Sequence, residues 1–340
     1  MEEQTKKGTA RSEKEKKQRP HVTPITEPAL PLLLSTVAMA ICFIALLINK
    51  FIYPVSKELL APVILQLIAL VIPAYLVIML TDSEKSMSEQ MRGIGFRALR
   101  PEYIFFVLFA ALFAAAASLI LTLAFGGAHD VARGLTVLGC FTAGVNEYSV
   151  SLPYIILAYA VIPSFAEEFL FRGVILSRLE KVSFPFAAIV STVLFALSGF
   201  SLGGFIPCLF VGVLSVFVLY TTRSLWSCII LHLLFNLYRL FLEANICAYF
   251  LSLQNNLLLI ITVALALCLS SLLFFSEGAR IFRKRSVKIA KREARSEKKT
   301  AGMTRIPSVL RSALAYRPTL IFFIVCICLF AATVIINYLT

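Results

Sequence analysis

Charge is what this sequence has least of. Asp, Glu, Lys and Arg make up 15% of its 340 residues, where a soluble domain carries roughly 25%. The shortage is concentrated: none of the four occurs in 28–49, 59–81, 103–129, 148–166, 182–222, 224–238, 244–276 or 318–340. A bilayer-crossing helix needs about 20 consecutive apolar residues, and no soluble fold needs eight such runs. A cleavable leader pattern is also missing, because the first 29 residues are polar and mixed in charge, without a short apolar core. Cysteine pairs at metal-binding or redox spacing are absent: no Cys-x-x-Cys occurs. Cys42, Cys208, Cys228, Cys268, Cys326 and Cys328 lie inside apolar runs, where a thiol behaves as a small hydrophobe. Histidine is scarce, with only His21, His129 and His232.

What is present is a series of spans. The run 182–222 is too long for one crossing and contains Ser198-Gly199-Phe200-Ser201-Leu202-Gly203-Gly204, a turn-prone patch that divides it in two. The expectation is an all-α, polytopic transmembrane helix bundle of about nine spans, near 30–48, 60–80, 103–125, 151–171, 186–200, 205–221, 225–242, 257–275 and 319–338. The chain then divides into a charged tail (1–29), an eight-helix membrane domain (30–275), a basic linker (276–318) and a ninth span (319–340).

The net charge of +13 sets the orientation. Seven Lys or Arg lie in 1–29 and thirteen in 276–318, and the loop 82–102 carries Lys85, Arg92, Arg97 and Arg100. Cytoplasmic loops are enriched in Lys and Arg. A cytoplasmic N-terminus places all three segments inside and Thr340 outside. The loops left outside are poor in basic residues: 126–147 has only Arg133. The basic linker reads either as a topology signal in a solvated, partly disordered loop or as an anionic-lipid or nucleic-acid patch.

Ionisable groups inside spans are costly and usually functional. Two sets stand out: Glu167, Glu168 and Arg172 in the fourth expected span, and His232 and Asn236 in the seventh. Glu168 and Arg172 are four apart and can pair on one helix face, while Glu167 lies about 100° away round the helix. His232 and Asn236 are likewise four apart. With the two helices running in opposite senses, the carboxylates and the imidazole come to similar depth in the cytoplasmic half of the membrane. Such a set can activate water and receive an oxyanion. The same residues also fit a structural ion pair and interhelical hydrogen-bonding glue.

These residues resemble the motifs of the CAAX-processing protease and bacteriocin-processing family of intramembrane peptidases. Glu167-Glu168-Phe169-Leu170-Phe171-Arg172-Gly173 is similar to the family's Glu-Glu-x-x-x-Arg motif. His232 to Asn236, after Ser224-Leu225-Trp226, is similar to its His-x-x-x-Asn motif. The resemblance covers about 148–240. It implies that Glu167 is the general base, that Glu168 and Arg172 support it, and that His232 and Asn236 hold the oxyanion. The family's middle motif, Phe-x-x-x-His, meets Phe195-Ala196-Leu197-Ser198-Gly199, with glycine where the histidine belongs.

The resemblance leaves two functional readings. One is an intramembrane endopeptidase acting on a hydrophobic or lipidated peptide. The other is a non-catalytic scaffold or immunity protein for another membrane or cell-wall enzyme. No cofactor is assigned: a divalent metal such as zinc takes three protein ligands at a catalytic site, and Glu167, Glu168 and His232 barely supply them. The expected partners are membrane lipid and a peptide, protein substrate or membrane protein. No nucleic acid is expected, and the location is a bacterial plasma membrane.

Overall fold

The computed structural model describes Val63 and residues 66–81, 85–125, 152–181, 183–198, 202–243, 245–246 and 256–293. Among them there is no strand. Helix α1 starts with a π-helical segment, Leu67–Val71, and continues as Ile72–Thr81. The short α2 is Met87–Gly93, and α3 is Ile104–Phe125. Helix α4 runs unbroken over Leu152–Leu179, α5 is Phe184–Ser198 and α6 is Leu202–Thr222. Helix α7 is Leu225–Glu243, and α8 is Asn256–Glu293. Seven of the nine expected spans therefore appear as helices near their expected limits. The first and ninth lie outside the described residues, so the count of nine is not shown.

Five of the helices are long and apolar enough to cross a membrane: the ones at Pro101–Leu121, Leu152–Leu179, Gly204–Thr222, Leu225–Glu243 and Ile261–Lys284. The apolar parts of α1 and α5 are shorter. Helix α4 extends past 171, the limit expected for its span, and Val174, Ile175, Leu176 and Leu179 beyond that point are buried against its neighbours. Helix α8 likewise continues into the basic segment as far as Glu293. At 1.5 Å per residue its 38 residues reach about 57 Å, against roughly 30 Å of hydrocarbon. Ile281 and Phe282 still pack on the bundle, and the helix continues past them into the basic segment.

Helix α3 packs against α6, α7 and α8. Its inward positions are Val107, Ala110, Ala114 and Ala117, all buried, at the i, i+3, i+4 spacing of one helix face. Alanine lets neighbouring backbones approach closely, as lipid-embedded helices require when no hydrophobic effect drives their association. On the α8 side Phe274 stacks on Phe106 and Phe113, with centroids 5.1 Å and 5.6 Å apart.

Helix α4 packs against α7, α5 and α1. Its π-helical segment Leu157–Val161 is followed by Ile162-Pro163, just as Leu67–Val71 in α1 is followed by Ile72-Pro73. Proline has no N–H to donate and its ring crowds the carbonyl four residues back. That carbonyl belongs to Ala69 in one helix and Tyr159 in the other, and both lie in the widened turn, which relieves the clash without breaking the helix.

Candidate active site

Helices α4 and α7 lie antiparallel, and the four polar side chains that face each other keep one register. Asn236 Nδ2 donates to Ser164 Oγ at 3.1 Å. One turn along, His232 Nδ1 meets Glu168 Oε1 at 3.0 Å. Moving four residues on in α4 corresponds to moving four back in α7, so Ser164 and Glu168 mate with Asn236 and His232 in one stripe. Ser164 is itself anchored, its hydroxyl donating to Ala160 O at 2.6 Å.

Glu168 is held from its other side by Arg172, whose Nη1 is 3.2 Å from the same Oε1. Both side chains are 0% exposed. His232 Nδ1 thus shares Glu168 Oε1 with Arg172, and the ring turns its Nε2 the other way. Glu167 Oε2 stands 3.9 Å from that Nε2. Because Glu167 and Glu168 diverge by about 100° round the helix, the imidazole sits between them, with one carboxylate at each ring nitrogen.

A ring of packing holds Arg172 in place. Its Nη2 donates to Gly212 O at 3.3 Å, and its Cζ lies 4.2 Å above the Phe195 ring centre. Phe195 in turn packs edge-on to His232, with centroids 5.5 Å apart. Helix α6 can come this near only because residue 212 is glycine: a Cβ there would stand 2.9 Å from Thr192 Cγ2 and 3.3 Å from Arg172 Nη2. Phe195, four residues before Gly199, thus contacts the stripe. Gly199 itself lies outside the described residues.

All five residues singled out from the sequence come together, and Ser164, Phe195 and Gly212 join them. Ser164 left a trace in the sequence, a small hydroxyl one turn before Glu168 in an apolar helix. Gly212 left none that separates it from ordinary span glycines. A second buried ion pair, Arg239 Nε to Glu243 Oε2 at 2.5 Å, closes the far end of α7, and its i, i+4 spacing was visible in the sequence.

The arrangement does not fit a three-ligand metal site. Glu168 occupies the Nδ1 side of His232, so an ion on Nε2 would have only Glu167 beside it. Among the described residues no three His, Cys, Asp or Glu converge.

Residues 149–238 match the family described as Type II CAAX prenyl endopeptidase Rce1-like. The matched segment, about a quarter of the chain, contains both motifs, so over those residues the chain is similar to that family, as the motifs suggested. No curated protein and no solved structure matches the chain.

Proposed function

We propose that the protein is a membrane-embedded endopeptidase in which Glu167 activates the attacking water. The observation that carries this reading is the relay from Arg172 through Glu168 to His232, which leaves Nε2 3.9 Å from Glu167 Oε2. Two polar atoms at that separation both reach one water at about 2.8 Å. Glu167 takes a proton from this water as its oxygen attacks the peptide carbonyl carbon. Asn236 faces the developing oxyanion: one of its two N–H groups is engaged by Ser164, and the other remains to donate. When the C–N bond breaks, the proton on Glu167 passes to the leaving amine. In this scheme His232 orients the water, since its Nε2 stands beside Glu167. That differs from the oxyanion role implied by the family resemblance.

The substrate class follows the matched family: a hydrophobic or lipidated peptide entering from the cytoplasmic leaflet. The basic ends of the helices support that side. Arg92, Arg97, Arg100, Lys181 and Arg223 gather at one end of the bundle, where α4 and α6 finish and α3, α5 and α7 begin, and the basic half of α8 leaves from the same end.

A second reading, a non-catalytic scaffold, is favoured by Gly199 at the family's histidine position and by the complete burial of Glu167, Glu168, Arg172 and His232. The test is peptidase activity of the purified full-length protein on prenylated and unprenylated peptides, with Glu167→Ala and Gly199→His beside it. The enzyme reading expects Glu167→Ala to abolish cleavage. It also expects Gly199→His to raise cleavage by about 10²–10⁴-fold if it restores an acid–base partner. An inert wild type together with an inert, well-folded Gly199→His variant would decide for the scaffold.

A further inference from the structure

A cleft of about 130 Å³ opens at the basic end of the bundle. Arg92, Arg97, Arg172 and Arg223 line it, with Glu180 as the one carboxylate. The walls are two turns locked together. Leu225 N donates to Gly95 O at 2.8 Å, and Ser224 Oγ donates to Arg97 O at 2.5 Å. Gly95 has φ +96° and Arg223 φ +57°, both in the left-handed region, which turns the two backbones toward each other.

Arg172 already has Glu168, but the other three guanidinium groups outnumber their carboxylate partners. Glu180 reaches Arg223 only at 3.8 Å and from an exposed position. No carboxylate among the described residues pairs with Arg92 or Arg97. Arg172 is fully buried and its Nε–H has no hydrogen-bond partner, a donor whose desolvation is otherwise uncompensated.

The segment carrying these arginines has a second side. Met91 and Phe96 line a wholly apolar groove of about 610 Å³, closed by Tyr75 and Leu76 of α1 and Phe165 and Phe169 of α4. Phe96 packs on Phe165, Phe169 and Trp226, with centroids 6.1, 5.8 and 5.7 Å away. A third pocket, of about 580 Å³, shares Arg92 and Arg97 with the cleft and Phe96 with the groove.

We propose that cleft and groove together form a binding site for one anionic phospholipid, with its phosphate among the arginines and an acyl chain along the apolar groove. Guanidinium groups recognise phosphate with bidentate geometry, and the cleft lies at the helix ends, where headgroups sit. The adjoining groove selects a lipid over a free phosphate, because a soluble anion has no use for an apolar wall. This site does not depend on the peptidase reading.

The test titrates full-length protein in detergent with dihexanoyl phosphatidylglycerol, dihexanoyl phosphatidylcholine and inorganic phosphate, following binding by calorimetry. The expected order is phosphatidylglycerol tightest, with phosphatidylcholine and phosphate much weaker. Arg92→Gln/Arg97→Gln, at two exposed positions, should weaken phosphatidylglycerol binding by about tenfold or more. Leu76→Trp, which crowds the groove from a 43% exposed position, should weaken the lipid but not phosphate. Equal binding of the two lipids would overturn the site, as would undiminished binding by the arginine variant. Phosphate binding as tightly as phosphatidylglycerol, unaffected by Leu76→Trp, would overturn the lipid assignment in favour of a free anion.

Discussion

Glu168 Oε1 is shared between two cations or donors from different directions: Arg172 at 3.2 Å from its own helix and His232 at 3.0 Å from the facing one. One oxygen thus ties α4 to α7 and determines which nitrogen of the imidazole faces Glu167.

That sharing predicts strong coupling. Arg172→Met leaves Glu168 buried without its counter-charge, and breaking a buried pair from one side costs about 3–5 kcal/mol. Arg172→Met/Glu168→Gln removes both charges and should be less destabilised than Arg172→Met alone. Unfolding in detergent would measure this, and additive losses from the two single variants would refute the coupling.

Gly212→Ala should destabilise by about 1–3 kcal/mol, the range for forcing an extra carbon into a packed site. The nearest obstacle is Thr192 Cγ2, 2.9 Å from the added Cβ. Thr192→Ser deletes that methyl, so Gly212→Ala/Thr192→Ser should recover part of the loss. Absence of any recovery in thermal melts would mean that the contact with Arg172 dominates instead.

The start of α2 should respond to acid. Ser86 caps it in a reciprocal box with Glu89, and the hydrogen bonds from the Ser86 side chain and backbone hold the Glu89 carboxyl below its ordinary 4.5. A lowered folded-state value means that the charged carboxylate contributes stability above the ordinary value. That contribution is lost as pH falls through the lowered one. The protection of the α2 amides, exchange taken relative to its intrinsic rate at each pH, should therefore fall as pH drops below about 4.5, and Ser86→Ala should lower protection at neutral pH too. Protection unchanged across that window would rule the cap out as a support for α2.

Orientation is tested by single cysteines placed at positions 10, 290 and 340 in a background lacking the native ones. Membrane-impermeant reagent added to intact cells should label 340 and spare 10 and 290, from the Lys/Arg asymmetry. Labelling of 290 from outside would reverse the assignment.

Much of this protein follows from short-range pattern alone. Uncharged runs long enough for a bilayer predict the helices, because backbone groups in hydrocarbon must satisfy one another within the segment. Residues four apart share a face, so the pairs Glu168–Arg172 and His232–Asn236 were legible before any packing was known. Their motif spacing pointed to the family matched over 149–238. The extension of α8 to Glu293 was harder to read, since its basic half lies past the apolar run that marks a span.

Tertiary structure alone decided which groups meet across helices. The sequence does not say that Glu168 takes Nδ1 of His232 while Glu167 faces Nε2, or that Ser164 receives Asn236. Those pairings depend on the rotation of α4 about its axis, which its π-helical segments at Leu157–Val161 and Phe169–Leu176 alter. They also depend on how near α6 can come, which Gly212 permits. Periodicity specifies the face of a helix but not its register against a neighbour, because register is settled by the fit of side chains far apart in the chain.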